Sequence, residues 1–191
     1  MNPLFAGALE IQRFFEARSW RFCFIGGLAV QRWGEPRLTL DVDCTVLTDF
    51  GDEARYVDDL LAAFSGRVPN PRDFALAHRV LLLDGPSGVP IDVAFGAMPF
   101  EERCVQRASP FDVGEGRSLL TCSAEDLVIF KAFAGRARDW LDIEGIALRQ
   151  REALDAGTIW RELMPLLELK DDVEAVPRLR RLLAKGRPSP P

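Results

Sequence analysis

The chain has 191 residues, 48% hydrophobic and 28% charged, which supports one folded core with an appended piece. A formal net charge of −5 argues against broad nucleic-acid binding through a basic surface, and no apolar run approaches the ~18 residues of a membrane span. A single histidine, His78, and four cysteines (Cys23, Cys44, Cys104 and Cys122) without C-x-x-C spacing argue against zinc and against histidine-dependent nucleophilic catalysis. His78 is expected to be structural or exposed. The opening MNPLFAGALEIQRFF lacks a basic start and an apolar signal core, so the expectation is a cytoplasmic protein with reduced thiols and no membrane partner.

In chain order, Phe5, Leu9, Ile11, Phe14 and Phe15 recur near helical spacing and predict a helix over about 3–18. FCFIGG reads as a short buried strand ended by Gly26-Gly27, and LAVQRWG as a helical turn or two broken at Gly34-Glu35-Pro36. In LTLDVDCTVL, Leu38, Leu40, Val42, Cys44 and Val46 share one face of a strand, while Thr39, Asp41, Asp43 and Thr45 share the other. EARYVDDLLAAFSGRV predicts an amphipathic helix. ALAHRVLLL and VPIDVAFG flank a turn-rich loop at 84–88 and predict a hairpin.

The second half is helical in pattern. Ser123-x-x-Asp126 has the form of a capping box. Two further helices follow in DAGTIWRELMPLLELKDDVEAVPRLRRLLAK, with Thr158 as N-cap and Pro177 as a local disturbance. In LVIFKAFAGRARDWLD, Leu127, Phe130, Ala134, Ala137 and Leu141 form a predicted core stripe. Lys131, Gly135, Arg138, Asp139 and Asp142 form a second stripe if the helix is continuous. If Gly135 breaks it, Asp139 begins or caps a new helix. Arg178, Arg180, Arg181, Lys185 and Arg187 make the C-terminal segment basic, either as a solvated face or as a docking site for an RNA end or another anion. Strands fall mostly before residue 100 and helices after it, which predicts an α+β architecture.

The chemistry-bearing residues are few. Asp41 and Asp43 leave the predicted strand on one face, and carboxylates that close repel unless a cation or donors compensate. Magnesium suits oxygen ligands and bridges carboxylates to nucleotide phosphates. Asp92, between Ile91 and Val93, adds a third carboxylate on the polar face of a neighbouring strand. Amides at the Gly26-Gly27 turn and the helix start after it suit phosphate oxygens. Neither G-x-x-x-x-G-K-[ST] nor G-x-G-x-x-G occurs.

GGLAVQRWGEPRLTLDVDCTV resembles the glycine-plus-D-x-D signature of the nucleotidyltransferase superfamily that includes DNA polymerase β. Within it, the chain looks most like the minimal bacterial nucleotidyltransferases of the type IV abortive-infection toxin family. Arg37, Thr39, Asp41 and Asp43 match the first block, Asp92 the later strand aspartate, and Lys131, Arg138, Asp139 and Asp142 the helical block, over roughly 24–146. Many superfamily members carry Gly-Ser where this chain has Gly26-Gly27, so a phosphate-binding hydroxyl is absent there.

The resemblance implies a small mixed sheet with flanking helices, as a nucleotidyltransferase core over 1–117, a helical region packed on it over 118–187 and a flexible tail at 188–191. It implies transfer of an NMP group from an NTP to a hydroxyl acceptor on RNA (a tRNA end), a protein or a small molecule. Asp41, Asp43 and Asp92 are then the Mg2+ ligands, with room for two metals, and they are catalytic together with Lys131. Gly26, Gly27, Arg37, Thr39, Lys131, Arg138 and Asp139 bind the nucleotide. A toxin role implies an antitoxin partner. The competing readings are a catalytically silent nucleotide-binding or interaction module on the same fold, and a helical interaction protein with a surface D-x-D.

Overall fold

The computed structural model describes residues 2–85, 88–170 and 174–185. The predicted tail at 188–191, Arg187 and positions 86–87 of the turn-rich loop lie outside them. The chain runs through α1 (Pro3–Ala17), β1 (Phe22–Phe24), α2 (Gly26–Trp33), β2 (Val42–Leu47), α3 (Glu53–Ala63), β3 (Ser65–Gly66) and α4 (Pro71–His78). It continues through β4 (Val80–Asp84), β5 (Pro90–Gly96), α5 (Pro99–Arg107), β6 (Ser109–Gly114) and β7 (Arg117–Thr121). The remainder is α6 (Ala124–Ala134), α7 (Ala137–Gln150), a 3-10 turn at Arg151–Ala153, α8 (Ala156–Lys170) and α9 (Ala175–Lys185). No helix among the described residues is long and apolar enough to cross a membrane.

The fold is α+β and divides into two compact units, one of Met1–Leu28 with Leu38–Cys122, the other of Ala29–Arg37 with Ser123–Pro191. The first holds the sheet, in the order β3-β4-β5-β2-β1-β7-β6. It is mixed: β2 pairs in parallel with β5 and β1 with β7, while the remaining neighbours are antiparallel. The central strands bury Val42, Cys44 and Val46 of β2 and Ile91, Val93 and Phe95 of β5. α1 lays Leu4, Ala8, Ile11 and Phe15 into the same core. Its start is set by Asn2, whose side chain accepts from the Leu4 N–H at 3.0 Å, with Pro3 at the first helical position. Gln12, on the buried face, fixes α1 against β7: its Nε2 donates to the Ser118 carbonyl and its Oε1 accepts from the Leu120 N–H. Phe14, Phe15, Trp20 and Tyr56 pack beside it in edge-on, stacked and tilted pairs. Of these Phe15 is fully buried, and a large apolar side chain so placed contributes roughly 1.5–3 kcal/mol.

In the second unit α6 packs against α7, α8 and α9. Ser123 caps α6 as expected, its Oγ accepting from the Asp126 N–H at 3.1 Å.

Several expectations are corrected. β2 begins at Val42, not Leu38, and Leu38 and Leu40 are exposed (76% and 71%), so Asp41 precedes the strand. The local cause is Thr39, whose hydroxyl donates to Asp41 Oδ1 at 2.9 Å and bends the chain before pairing starts. The hairpin of β4 and β5 forms, but ALAH belongs to α4, which Arg79 ends in the left-handed region (φ 53°). His78 is exposed, its ring 4.5 Å from that of Phe74. A second hairpin, β6–β7, lies beyond residue 100. α8 is capped by Asp155, whose Oδ1 accepts from the N–H groups of Gly157 and Thr158, rather than by Thr158. Pro177 sits in the first turn of α9, where a missing N–H costs the helix nothing, and disturbs nothing. All four cysteines are buried and outside disulfides, with the Sγ atoms of Cys23 and Cys104 at 3.7 Å.

Gly135 adopts φ 68° and ends α6, which settles the open alternative in favour of two helices. The break resets the helical phase and overturns the predicted core stripe: Leu141 is 68% exposed, and Ala134 and Ala137 are exposed as well. The residues that fill the interior are Leu127, Val128, Ile129 and Ala132 of α6 and Trp140, Ile143 and Ile146 of α7.

Candidate active site

The register of β2 and β5 places Asp43 directly beside Asp92, and Val42 and Cys44 beside Ile91 and Val93. Because the strands are parallel and in register, the apolar residues turn together into the core. Both aspartates stand on the half-exposed face. Burial pushes the Asp92 carboxyl above its ordinary range; Arg67 opposes that shift and the charge of Asp41 adds to it. The Cys44 thiol, fully buried, is pushed well up by burial and then by the charges of Asp43 and Asp92. These effects place Asp41, Asp43 and Asp92 in one region of negative potential. Arg67 answers it directly, its Nη2 lying 2.5 Å from Asp92 Oδ1.

The glycine pair has a steric reason. Gly26 opens α2 at φ 58°, and a Cβ there would stand 1.9 Å from Asp43 Oδ2. A Cβ on Gly27 would stand 2.2 Å from Thr39 Oγ1. Any larger side chain would therefore displace Asp43 or Thr39. The chain before β2 is thus seated on the first turn of α2, where the leading amides of a helix lack intrahelical partners. Ile25 reinforces the seat by donating its N–H to the Asp43 carbonyl at 3.0 Å.

Among the described residues no three His, Cys, Asp or Glu side chains form a ready-made metal cage. The donor set nevertheless fits magnesium. Asp43 and Asp92 are adjacent carboxylates on a half-exposed face, and this ion keeps water and phosphate oxygens among its ligands, needing only one or two carboxylates from a protein.

The second unit holds an ion network of its own. Lys131, 6% exposed, lies 3.0 Å from Asp139 Oδ1 and 2.9 Å from Asp142 Oδ2. Arg37 grips Asp142 with two nitrogens, Nε at 2.7 Å and Nη2 at 2.9 Å. Asp139, three residues into the new helix, accepts from the Arg136 N–H at 3.2 Å and from its Nε at 2.7 Å. Burial alone would raise both carboxyls. For Asp139 the hydrogen bonds of Arg136 and Lys131 prevail, for Asp142 those of Arg37 and Lys131, and both acids are held below the usual range.

The structure thus gathers Gly26, Gly27, Thr39, Asp41, Asp43 and Asp92 in the first unit. In the second it gathers Arg37, Lys131, Asp139 and Asp142, while Arg138 is exposed on the first turn of α7. Sequence reasoning missed Arg67 and Arg136. The first sits in the turn-rich SGRVPNP with no periodic signal. The second sits three residues before Asp139, the spacing of a cap, which offered a clue.

No protein-family model matches the sequence, and no curated protein matches it. Solved structures similar to the chain over most of their length include the following two. One is the crystal structure of an antigenic nucleotidyltransferase-like protein from Paracoccidioides brasiliensis: 17% identity, 94% of this chain and 84% of that one, TM-score 0.46. The other is the solution structure of the antibiotic-resistance factor ANT(2'')-Ia: 14% identity, 95% of this chain and 88% of that one, TM-score 0.46.

Proposed function

We propose that the protein is a metal-dependent nucleotidyltransferase that moves a nucleoside monophosphate from an NTP to a hydroxyl acceptor and releases pyrophosphate. The observation that carries this reading is the register setting Asp43 beside Asp92, above a glycine pair that opens a helix. Asp43 and Asp92 are the metal ligands, and the place of Asp41 as a third rests on the sequence resemblance. Mg2+, when bound, neutralises charge on the phosphates and helps align the in-line displacement. Amides at Gly26 and Gly27 donate to phosphate oxygens, and the Thr39 hydroxyl orients Asp41. Asp92 takes up the proton of the attacking hydroxyl. The nucleotide-binding roles of Arg37, Lys131, Arg138 and Asp139 rest on the sequence resemblance, as do a tRNA, protein or small-molecule acceptor, a toxin role and an antitoxin partner.

The Arg67–Asp92 ion pair favours one second reading, a silent nucleotide-binding or interaction module, because it already supplies Asp92 with a cation. Incubation with each labelled NTP, Mg2+ and total cell RNA and protein decides between them. Transferase activity labels one fraction, and Asp43→Asn and Asp92→Asn reduce that label to background. Mg2+-dependent thermal stabilisation by NTP with no labelled fraction marks the silent module. Undiminished labelling by either variant overturns the assignment of these carboxylates.

A further inference from the structure

Arg67 follows β3 at the edge of the sheet, and its backbone N–H donates to the Leu82 carbonyl of β4 at 2.8 Å. Leu82 is the cross-strand partner of Asp92, and Asp92 is the partner of Asp43. Arg67, Leu82, Asp92 and Asp43 therefore form one row across four neighbouring strand positions. From its end of the row Arg67 must span two inter-strand spacings, about 10 Å in all, to reach Asp92. Only a long side chain can do that. Contact is made through one nitrogen, Nη2, to one oxygen, Oδ1, and leaves the two-pronged grip that arginine can offer unused. Both side chains are about a third exposed (31% and 29%), so ions reach the pair from solvent.

We infer that Arg67 is the built-in counter-cation of the candidate metal site, occupying the Asp92 oxygen that a divalent cation takes and leaving it when the metal enters. The inference rests on the reading of Asp41, Asp43 and Asp92 as metal ligands. A guanidinium in contact with that oxygen would sit within a few ångströms of the incoming ion, where like charges repel strongly in a partly desolvated setting. An arginine cannot relieve the conflict by losing its proton. Movement is the remaining route, and a side chain about a third exposed and held through one nitrogen has solvent to move into. Without metal, Arg67 offsets the mutual repulsion of the carboxylates. It is a positioning residue that acts through Asp92.

Mn2+ binding, read from the free-ion EPR signal in the absence of nucleotide, tests this independently of turnover. The neutral variants Arg67→Gln and Arg67→Met, two independent replacements verified as folded by circular dichroism, should bind Mn2+ about three- to tenfold more tightly than wild type. Arg67→Lys keeps the charge and should stay near wild type, a pattern that loss of mere packing would not produce. Asp92→Asn should weaken binding in every background. Equal or weaker binding by both neutral variants, with binding still dependent on Asp92, overturns the role of Arg67 and leaves the metal site standing. Absence of Mn2+ binding in wild type and neutral variants alike, or indifference to Asp92→Asn, overturns the metal site and this inference with it.

Discussion

Aspartates are clustered in both units, and the two clusters are balanced in opposite ways. Asp139 and Asp142 are embraced by Lys131, Arg37 and Arg136, three cations for two carboxylates, and both acids are held below their ordinary range. Asp92 stands beside Asp43 and within the influence of Asp41, and even with Arg67 in contact its carboxyl is held above that range. In the first arrangement the cations outnumber the carboxylates they hold. The second is not offset in that way: burial outweighs Arg67, and the charge of Asp41 adds to it.

The contrast breaks most visibly at Lys131. Lys131→Met strands two buried carboxylates and should cost about 3–5 kcal/mol in urea unfolding, whereas Asp43→Asn removes a like-charge neighbour and should leave stability unchanged or raise it by up to roughly 1 kcal/mol. A comparable loss from both substitutions would erase the distinction. Acid sharpens it next. Asp139 and Asp142 have folded-state pKa values below their unfolded values, so their stabilisation is complete above about pH 4 and fades as pH falls through the unfolded value toward the folded ones. Thermal melting from pH 7 to pH 3 should show that acid loss in wild type and a shallower one in Lys131→Met. The smallest effect belongs to Arg136, whose side chain is 76% exposed. Arg136→Ala should cost only about 0.5–1 kcal/mol, and Arg136→Ser, which puts a capping hydroxyl at this N-cap position, should cost less.

Much of this was legible because it is local. The alternation of VPIDVAFG placed Asp92 opposite its apolar neighbours, and the capping box at Ser123 announced α6. What escaped depends on contacts distant in sequence or on a single backbone angle. The β6–β7 hairpin was hidden by Pro110, Gly114 and Gly116 in a polar stretch. The start of β2 was misplaced because Leu38 and Leu40 keep the strand period while Thr39 and Asp41 bend the chain out of the sheet. One left-handed residue, Gly135, shifted the phase of a helical pattern enough to expose Leu141 and bury Asp142. Arg67 meets Asp92 across 25 positions, beyond any periodic signal.

The seating of Asp43 over Gly26 and of Thr39 over Gly27 has a consequence for how this sequence can diverge. Each glycine is the empty half of a steric pair, so the alphabet permitted at 26 and 27 is dictated from 43 and 39. The coupling is one-sided. Alanine at 39 would still leave its Cβ 2.7 Å from a Cβ at 27, so only glycine at 39 makes room there, whereas at 26 the left-handed backbone still penalises any side chain after Asp43 is gone. Epistasis between 39 and 27 is therefore relieved only by a second glycine, whereas that between 43 and 26 is closer to a ratchet: once built around an aspartate, the turn keeps its glycine even if the aspartate is lost.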